Sequence, residues 1–340
     1  MKRLFILNCL FALLAFPLTA QPGLSEVKTG MTGTMRGLDV VSKNVIWISG
    51  THGEFSVTYN GGKSWFHDTV PGADSLDFRD VHGFSADVAL LMSAGPGKGS
   101  AIYRTEDGGK TWALVYQNSD PKAFFDGMDF FDKDHGLLIG DPVDKKPYLM
   151  ETLDGGRTWS RKEPMSIPDL VDGEYAFAAS GTSLDANPEG SCYVATGGST
   201  SRAFCSPDYG RNWLVVELPF LKGDPAAGAF SVQRGTGALV AAAGGNYQKM
   251  NISGSNIALS QDGGNTWSSP AGAANVPFME CIRWINSKTL IACGPPGVWL
   301  SEDAGKNWKE ISKEGFHAMD VVEGKKEVWL AGKKVVILDI

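Results

Sequence analysis

Hydrophobic residues in this chain come in short bursts. Val88-Ala-Leu-Leu-Met-Ser93, Ala101-Ile-Tyr-Arg-Thr105 and Trp112-Ala-Leu-Val-Tyr116 are typical: aliphatic, β-branched or aromatic runs closed by Gly, Asp or Ser. Runs of this length, bounded by turn formers, predict strands. Beyond Gln21 no segment keeps a helical period. The pattern predicts an all-β chain of short strands joined by tight turns.

One turn phrase recurs six times. It reads Thr58-Tyr-Asn-Gly-Gly-Lys-Ser-Trp65, Thr105-Glu-Asp-Gly-Gly-Lys-Thr-Trp112, Thr152-Leu-Asp-Gly-Gly-Arg-Thr-Trp159, Ser206-Pro-Asp-Tyr-Gly-Arg-Asn-Trp213, Ser260-Gln-Asp-Gly-Gly-Asn-Thr-Trp267 and Ser301-Glu-Asp-Ala-Gly-Lys-Asn-Trp308. Between the Asp or Asn positions the spacings are 47, 47, 54, 54 and 41 residues. A period of this size marks one supersecondary unit used repeatedly. The carboxylate can accept backbone N–H groups inside the turn, glycine permits left-handed geometry, and Trp covers apolar surface between units. The phrase is a structural device.

The second unit shows the strand plan. Phe78–Phe84, Val88–Ser93, Ala101–Thr105 and Trp112–Tyr116 are its four strands. A seventh, unboxed unit follows the last phrase: His317-Ala-Met-Asp-Val-Val322, Glu327-Val-Trp-Leu-Ala331 and Lys334-Val-Val-Ile-Leu-Asp339. It lacks a fourth strand, which Leu24-Ser-Glu-Val-Lys-Thr29 can supply. That exchange closes a ring and leaves no open edge. The expected fold is a seven-bladed β-propeller with the N-terminal strand closing the last blade; six blades plus an irregular cap is the alternative.

Residues 1–20 are set apart. Lys2 and Arg3 precede an apolar run from Leu4 to Leu18, and small residues precede Gln21, as in a secretory signal. Residues 21–340 are then expected to be a single propeller domain, exported to the periplasm or beyond, with no stable membrane insertion. Without Lys2 and Arg3 the formal charge moves from −7 to −9. With no basic cluster, this argues against nucleic acid as a partner. Cys192 with Cys205, and Cys281 with Cys293, flank turns symmetrically, so each pair is a candidate cross-strand disulfide; four free thiols is the alternative. His52, His67, His82, His135 and His317 are scattered, and no metal or other cofactor is expected.

The phrases resemble those of the Asp-box (BNR-like) β-propellers. Gly140-Asp-Pro142, Phe177-Ala-Ala-Ser-Gly181 and the first-strand arginines resemble the exported bacterial YCF48-like, or photosystem II stability-assembly factor, family. The resemblance spans nearly all of the chain after residue 20. It implies a propeller that binds or assembles, and it identifies no reaction.

Aligning the units places Arg36-Gly-Leu-Asp, Arg79-Asp-Val-His, Asp126-Gly-Met-Asp, Ser231-Val-Gln-Arg, Cys281-Ile-Arg-Trp and His317-Ala-Met-Asp on innermost strands, with Tyr175–Ser180 as the fourth unit's version. Equivalent ends of such strands converge on one channel mouth. Arg36, Arg79, Asp126, Ser231, Arg283 and His317 are therefore candidate ligand or partner residues. Asp141 and Tyr247, on longer excursions, join them. No catalytic residue is assigned. The expected function is a monomeric non-enzymatic scaffold for an envelope or extracellular protein, peptide or glycan. The alternative is a sialidase-like glycoside hydrolase using Arg36, Arg79 or Arg283, Tyr148 or Tyr247, Glu151 or Glu174, and Asp126 or Asp141.

Overall fold

A computed structural model describes residues 23–340 apart from Glu323, so the expected signal at 1–20 lies outside the described residues. The strands form seven blades around a central channel. From the channel outward, blade 1 holds Met35–Val40, Ile46–Gly50, Glu54–Thr58 and Phe66–Thr69. Blade 2 holds Phe78–Gly83, Ala89–Ser93, Ala101–Thr105 and Ala113–Gln117. Blade 3 holds Phe125–Phe130, Gly136–Val143, Lys146–Thr152 and Ser160–Arg161. Blade 4 holds Leu184–Ala186, Cys192–Ala195, Arg202–Ser206 and Leu214–Glu217. Blade 5 holds Asp224–Arg234, Val240–Asn246 and Ile257–Ser260, with a single outer bridge from Leu259 to Ser268. Blade 6 holds Cys281–Trp284, Leu290–Gly294, Gly297–Ser301 and Lys309–Ser312.

Blade 7 closes the ring as expected. Its chain-order strands are Phe316–Val321, Glu327–Gly332 and Val335–Asp339, and its outer strand is Leu24–Val27. Leu24 pairs with Leu338 and Val27 with Val335, antiparallel.

Each turn phrase folds the same way. In blade 2, Thr105 Oγ1 accepts the Gly109 N–H at 2.9 Å, and Asp107 Oδ1 accepts the Thr111 N–H at 2.9 Å. Thr111 Oγ1 donates to Asp107 Oδ2 at 2.6 Å. Blade 6 repeats this with Ser301, Asp303 and Asn307. Blade 1 uses Asn60, which accepts the Ser64 N–H at 2.9 Å and donates through Nδ2 to Ser64 Oγ. The phrase then meets the preceding blade. Trp112 lies edge-on to Phe55 of blade 1, centroids 5.0 Å apart. Gly109, at φ +86°, leaves no room for a side chain: a Cβ there would sit 2.5 Å from the Phe55 ring. Gly156 meets Leu90 of blade 2 in the same way.

Apolar side chains fill the joints. Trp47, Phe55, Phe78 and Leu91 make the core between blades 1 and 2; Ile48, Ala318 and Trp329 help make the one between blades 7 and 1. The strands are apolar on both faces because each sheet is covered on both sides by another.

A second seam runs around the channel. Three residues past the mouth position, each innermost strand carries Asp39, His82, Asp129, Asp185, Gln233, Arg283 or Asp320 in blades 1 to 7. Five of these accept a backbone N–H from the next blade: Asp39 from Gly83 (2.5 Å), Asp129 from Ala186 (2.7 Å), Asp185 from Arg234 (3.1 Å), Gln233 from Trp284 (2.6 Å) and Asp320 from Val40 (2.8 Å). His82 instead stacks on Phe130, and Arg283 Nε lies 3.4 Å from Asp320.

Two sequence expectations need correction. Tyr175–Ser180 is not the inner strand of blade 4. That place belongs to Leu184–Ala186, while Glu174–Tyr175 and Gly197–Gly198 join the inner side of blade 5. The cysteine pairs also differ from one another. All four thiols are unpaired in the structure. Cys192 is in register with Ser206, and Cys205 with Tyr193, so a one-residue offset sends the two thiols to opposite faces of blade 4. They lie in different joint cores. Cys281 and Cys293 are directly in register and share one core.

Three tests follow from this geometry. Gly109→Ala forces both a left-handed alanine and a clash with Phe55, and is expected to cost about 2–4 kcal/mol in urea melts; a loss below about 0.5 kcal/mol would show that the joint yields. Peptide mapping of oxidised native protein should find Cys281 joined to Cys293 and never Cys192 to Cys205. The third concerns pH. Burial, reinforced by Asp320, pushes Asp39 up to about 7; burial, reinforced by Asp129, does the same to Asp185. Their contribution to stability is complete below the unfolded carboxyl pKa of about 4 and is lost as pH rises through about 7. The turn aspartates work oppositely: hydrogen bonds from Thr111 lower Asp107 and those from Asn307 lower Asp303, so their contribution disappears on acidification. Melting temperature should therefore peak between about pH 4 and 6 and fall towards pH 8. Asp39→Asn with Asp185→Asn should flatten that fall, and a wild-type melting temperature that rises from pH 6 to 8 would refute the assignment.

Candidate functional site

The mouth of the channel is built by a repeated irregularity. In blade 1 Met35 pairs with Gly50 and Gly37 with Ser49, leaving Arg36 as an extra residue. Arg79, Asp126 and His317 are the extra residues of blades 2, 3 and 7, and Phe230 that of blade 5. In blade 6 Glu280 donates its N–H to Cys293 O (2.8 Å) while Cys281 is also in register with Cys293, so Glu280 takes the same place. A β-bulge leaves one residue outside the ladder and re-aims its side chain. Arg36, Arg79, Asp126, Phe230 and Glu280 thereby line one cavity of about 440 Å³.

The cationic side of this cavity is held by a network. His317 Nδ1 is 2.7 Å from Glu280 Oε2 and 3.4 Å from Arg36 Nη1. With its proton on Nδ1 the imidazole donates to the carboxylate. Arg36 keeps Nε without a hydrogen-bond partner among the described residues. Burial lowers the Arg36 pKa, with Glu280 opposing. Arg79 donates through Nε to Asp77 Oδ2 (2.6 Å) and through Nη1 to Ala178 O (2.8 Å). Its orientation is therefore fixed. Two guanidinium groups facing one cavity can bind an anion through several donors at once.

Blade 3, next to the blade of Arg79, adds two acids to the lining of the same cavity, Asp126 and Asp141. Asp126 is 1% exposed. Its Oδ2 and Asp141 Oδ1 are buried without a hydrogen-bond partner among the described residues. Burial raises Asp126 well above the ordinary carboxyl range, and the charge of Asp141 adds to it. Burial alone pushes Asp141 up to about 6.

Aromatic rings form the third wall. Phe177 lies flat on Phe230, centroids 3.7 Å apart and planes 7° apart. Tyr175 packs edge-on to Phe177, and Tyr247 edge-on to both Phe177 and Phe230. Tyr175 and Phe177 reach the mouth because their segment is clamped. Glu174, buried beneath it, accepts from Arg202 Nε (2.9 Å) and Nη2 (2.5 Å), Thr196 Oγ1 (2.6 Å) and the Val171 N–H (2.9 Å). The Tyr175 hydroxyl in turn donates to Pro225 O.

The mouth therefore brings together Arg36, Arg79, Asp126, Asp141 and Tyr247 from the sequence expectations, with His317 behind Arg36. It excludes two. Ser231 lies one residue past the bulge, fully buried, accepting from Thr182 Oγ1 (2.7 Å) and the Ile282 N–H (3.1 Å). Arg283 belongs to the lower seam and lines a separate channel cavity of about 210 Å³ with Asp39, Asp129, Asp185 and Asp320. Glu280, Phe230, Tyr175 and Phe177 were not singled out as site residues. The signal for the first two was a bulge, which a gap-free alignment of blades 5 and 6 skips by one residue.

Of the residues considered for a sialidase-like site, Arg36, Arg79, Tyr247, Asp126 and Asp141 line the mouth, whereas Arg283, Tyr148, Glu151 and Glu174 do not. Tyr148 is buried in the joint between blades 2 and 3, its hydroxyl on Asn118 Oδ1 at 3.2 Å. Glu151 pairs with His135 (2.8 Å) and Lys162 near the rim. Glu174 is committed to Arg202. No group of three or more metal-ligating side chains occurs among the described residues.

No protein-family model matches the chain, and no curated protein sequence does. Solved structures do. A structure described as YCF48 bound to D1 peptide superposes with TM-score 0.66 at 14% identity, covering 94% of this chain and 97% of that one. YCF48 from Cyanidioschyzon merolae gives 0.67 at 14% identity, covering 93% and 98%. The GH74 xyloglucanase from Xanthomonas campestris gives 0.56 at 12% identity, covering 92% of this chain and 60% of the enzyme. At these identities the shared property is the seven-bladed propeller fold.

Proposed function

We propose that this chain is an exported, non-enzymatic binding or assembly scaffold that holds a peptide segment of an envelope or extracellular protein in its channel mouth. Residues 1–20 are its export leader, the rest acts as one propeller domain, and the turn phrases are Asp boxes of the BNR type with no part in binding. One observation carries the reading. Arg36 and Arg79 sit on bulges, outside the strand ladder, facing a cavity of about 440 Å³ with an aromatic wall. Side chains there can hold a ligand without bearing the fold. Asp126, Asp141, His317 and Tyr247 belong to the same site; Ser231 and Arg283 serve the seams. A propeller of similar shape bound to a peptide supports this choice.

A second reading, a glycoside hydrolase, is favoured by the Asp126 and Asp141 pair. Two nearby carboxyls with raised proton affinities are the raw material of general acid chemistry. Its weakness is that neither Glu151 nor Glu174 lines the mouth, so the Tyr–Glu pair of a sialidase-like set is incomplete.

Cross-linking and co-purification from the envelope fraction separate the two. The scaffold reading expects one partner retained by the wild type and lost with Arg36→Ala and Arg79→Ala together, but retained by Lys110→Ala on an exposed turn. Affinity should fall by about tenfold or more, since charge-assisted contacts contribute about 1.5–3 kcal/mol each. Glycan turnover abolished by Asp126→Asn would overturn this reading in favour of hydrolysis.

A further inference from the structure

The two arginines leave half of the mouth unexplained. On blade 3, next to the blade of Arg79, Asp126 is almost wholly buried and its Oδ2 has no hydrogen-bond partner among the described residues; Asp141, beside it, has an orphaned Oδ1. Burying a carboxyl without a partner is among the costlier things a fold can do. The Asp126 position did not require it. It is a bulge, as are the equivalent positions filled by Arg36, Arg79, Phe230 and His317, so other side chains fit the same backbone. Nor is the pair part of the lower seam, where aspartates satisfy backbone N–H groups of the next blade. Both orphaned oxygens belong to groups lining the mouth cavity.

The neighbours of the pair indicate what it accepts. Tyr175 is close enough to Asp141 for the carboxylate to raise the phenol pKa, after burial and Tyr247. Tyr175 continues through Phe177 to Tyr247 as an aromatic wall. Acceptor oxygens beside ring faces suit an organic cation: the carboxyls take its N–H donors and the rings attract its charge. Resting on the reading of the mouth as a peptide site, we propose that Asp126 and Asp141 form a subsite for a basic side chain of the bound segment, beside the Arg36 and Arg79 subsite for an acidic group. The mouth then selects segments in which a Lys or Arg lies close to an Asp or Glu, and rejects segments carrying one sign alone. The arginines have other partners: Arg79 is committed to Asp77 and Ala178, and Arg36 lies beside Glu280, whose charge favours its guanidinium.

The test is selection of a phage-displayed random dodecapeptide library on the immobilised protein at pH 7.5. The expected result is enrichment of peptides carrying Lys or Arg near Asp or Glu. A synthetic version of the best peptide should bind about tenfold or more weakly to Asp126→Asn/Asp141→Asn. Replacing its basic residue with norleucine should weaken binding to the wild type similarly, and have little further effect on the double variant. The melting temperature of that variant reports folding and should stay at or above that of the wild type. Enriched peptides without basic residues, or undiminished binding by the double variant, overturn the cation subsite while leaving the peptide-binding reading intact. Enrichment of no peptide overturns that reading and this inference with it.

Discussion

Everything in this molecule depends on how closely each blade can approach the one before it. The limit is set at the turn, where a glycine backbone lies against an aromatic or aliphatic side chain of the preceding sheet: Gly109 on Phe55, Gly156 on Leu90, Gly305 on Leu259. At those points the sheets come together without an intervening side chain. The Asp and Ser or Thr of each phrase hold the turn in shape, and Trp covers what remains exposed. The phrase is thus a spacer of fixed dimension. Six repeats of that dimension set six of the seven joints, and the joint between blades 6 and 7 closes without a phrase.

The inner strands solve a different problem. They must hold neighbouring blades together at the axis and also present variable side chains at the mouth. A bulge separates the two tasks within a few residues. Arg36 leaves the ladder, while Asp39, three residues on, accepts an N–H from blade 2. The mouth side chains therefore face the cavity, and most of the seam side chains face backbone. One strand carries both because the extra residue lets the pleat restart in the correct phase.

The chain displays the first of these devices openly. The phrase, its spacing, the count of seven and the strand exchange at Leu24–Val27 can all be read from residue order, because each rests on local turn chemistry or on strand bookkeeping. The alignment also finds Arg36, Arg79, Asp126 and His317 in one ring. It misses Glu280 and Phe230 because a bulge inserts a residue without a compositional mark. It misses Tyr175 and Phe177 because the segment holding them crosses from blade 4 to the sheet of blade 5, directed by Glu174 and Arg202, whose contact joins residues 28 positions apart. The cysteines make the same point on a smaller scale. Symmetry about a turn is right for Cys281 and Cys293 and wrong by one residue for Cys192 and Cys205, where Gly197–Gly198 is diverted into another sheet.

Closure by the N-terminal strand has a consequence in time. Leu24–Val27 precedes every other strand of the ring, yet its partner Val335–Asp339 is roughly 300 residues away and follows them all. Until both exist, the third strand of blade 7 and the first strand of the chain expose unpaired edges, the surfaces most prone to pair with the wrong neighbour. The entropic penalty for joining such distant segments grows only logarithmically with their separation, so distance hardly weakens the final bond. It does delay it. The ring therefore works as its own proofreading step: a chain cut short cannot hide its edges, and the folded state is withheld until the whole blade series has been laid down.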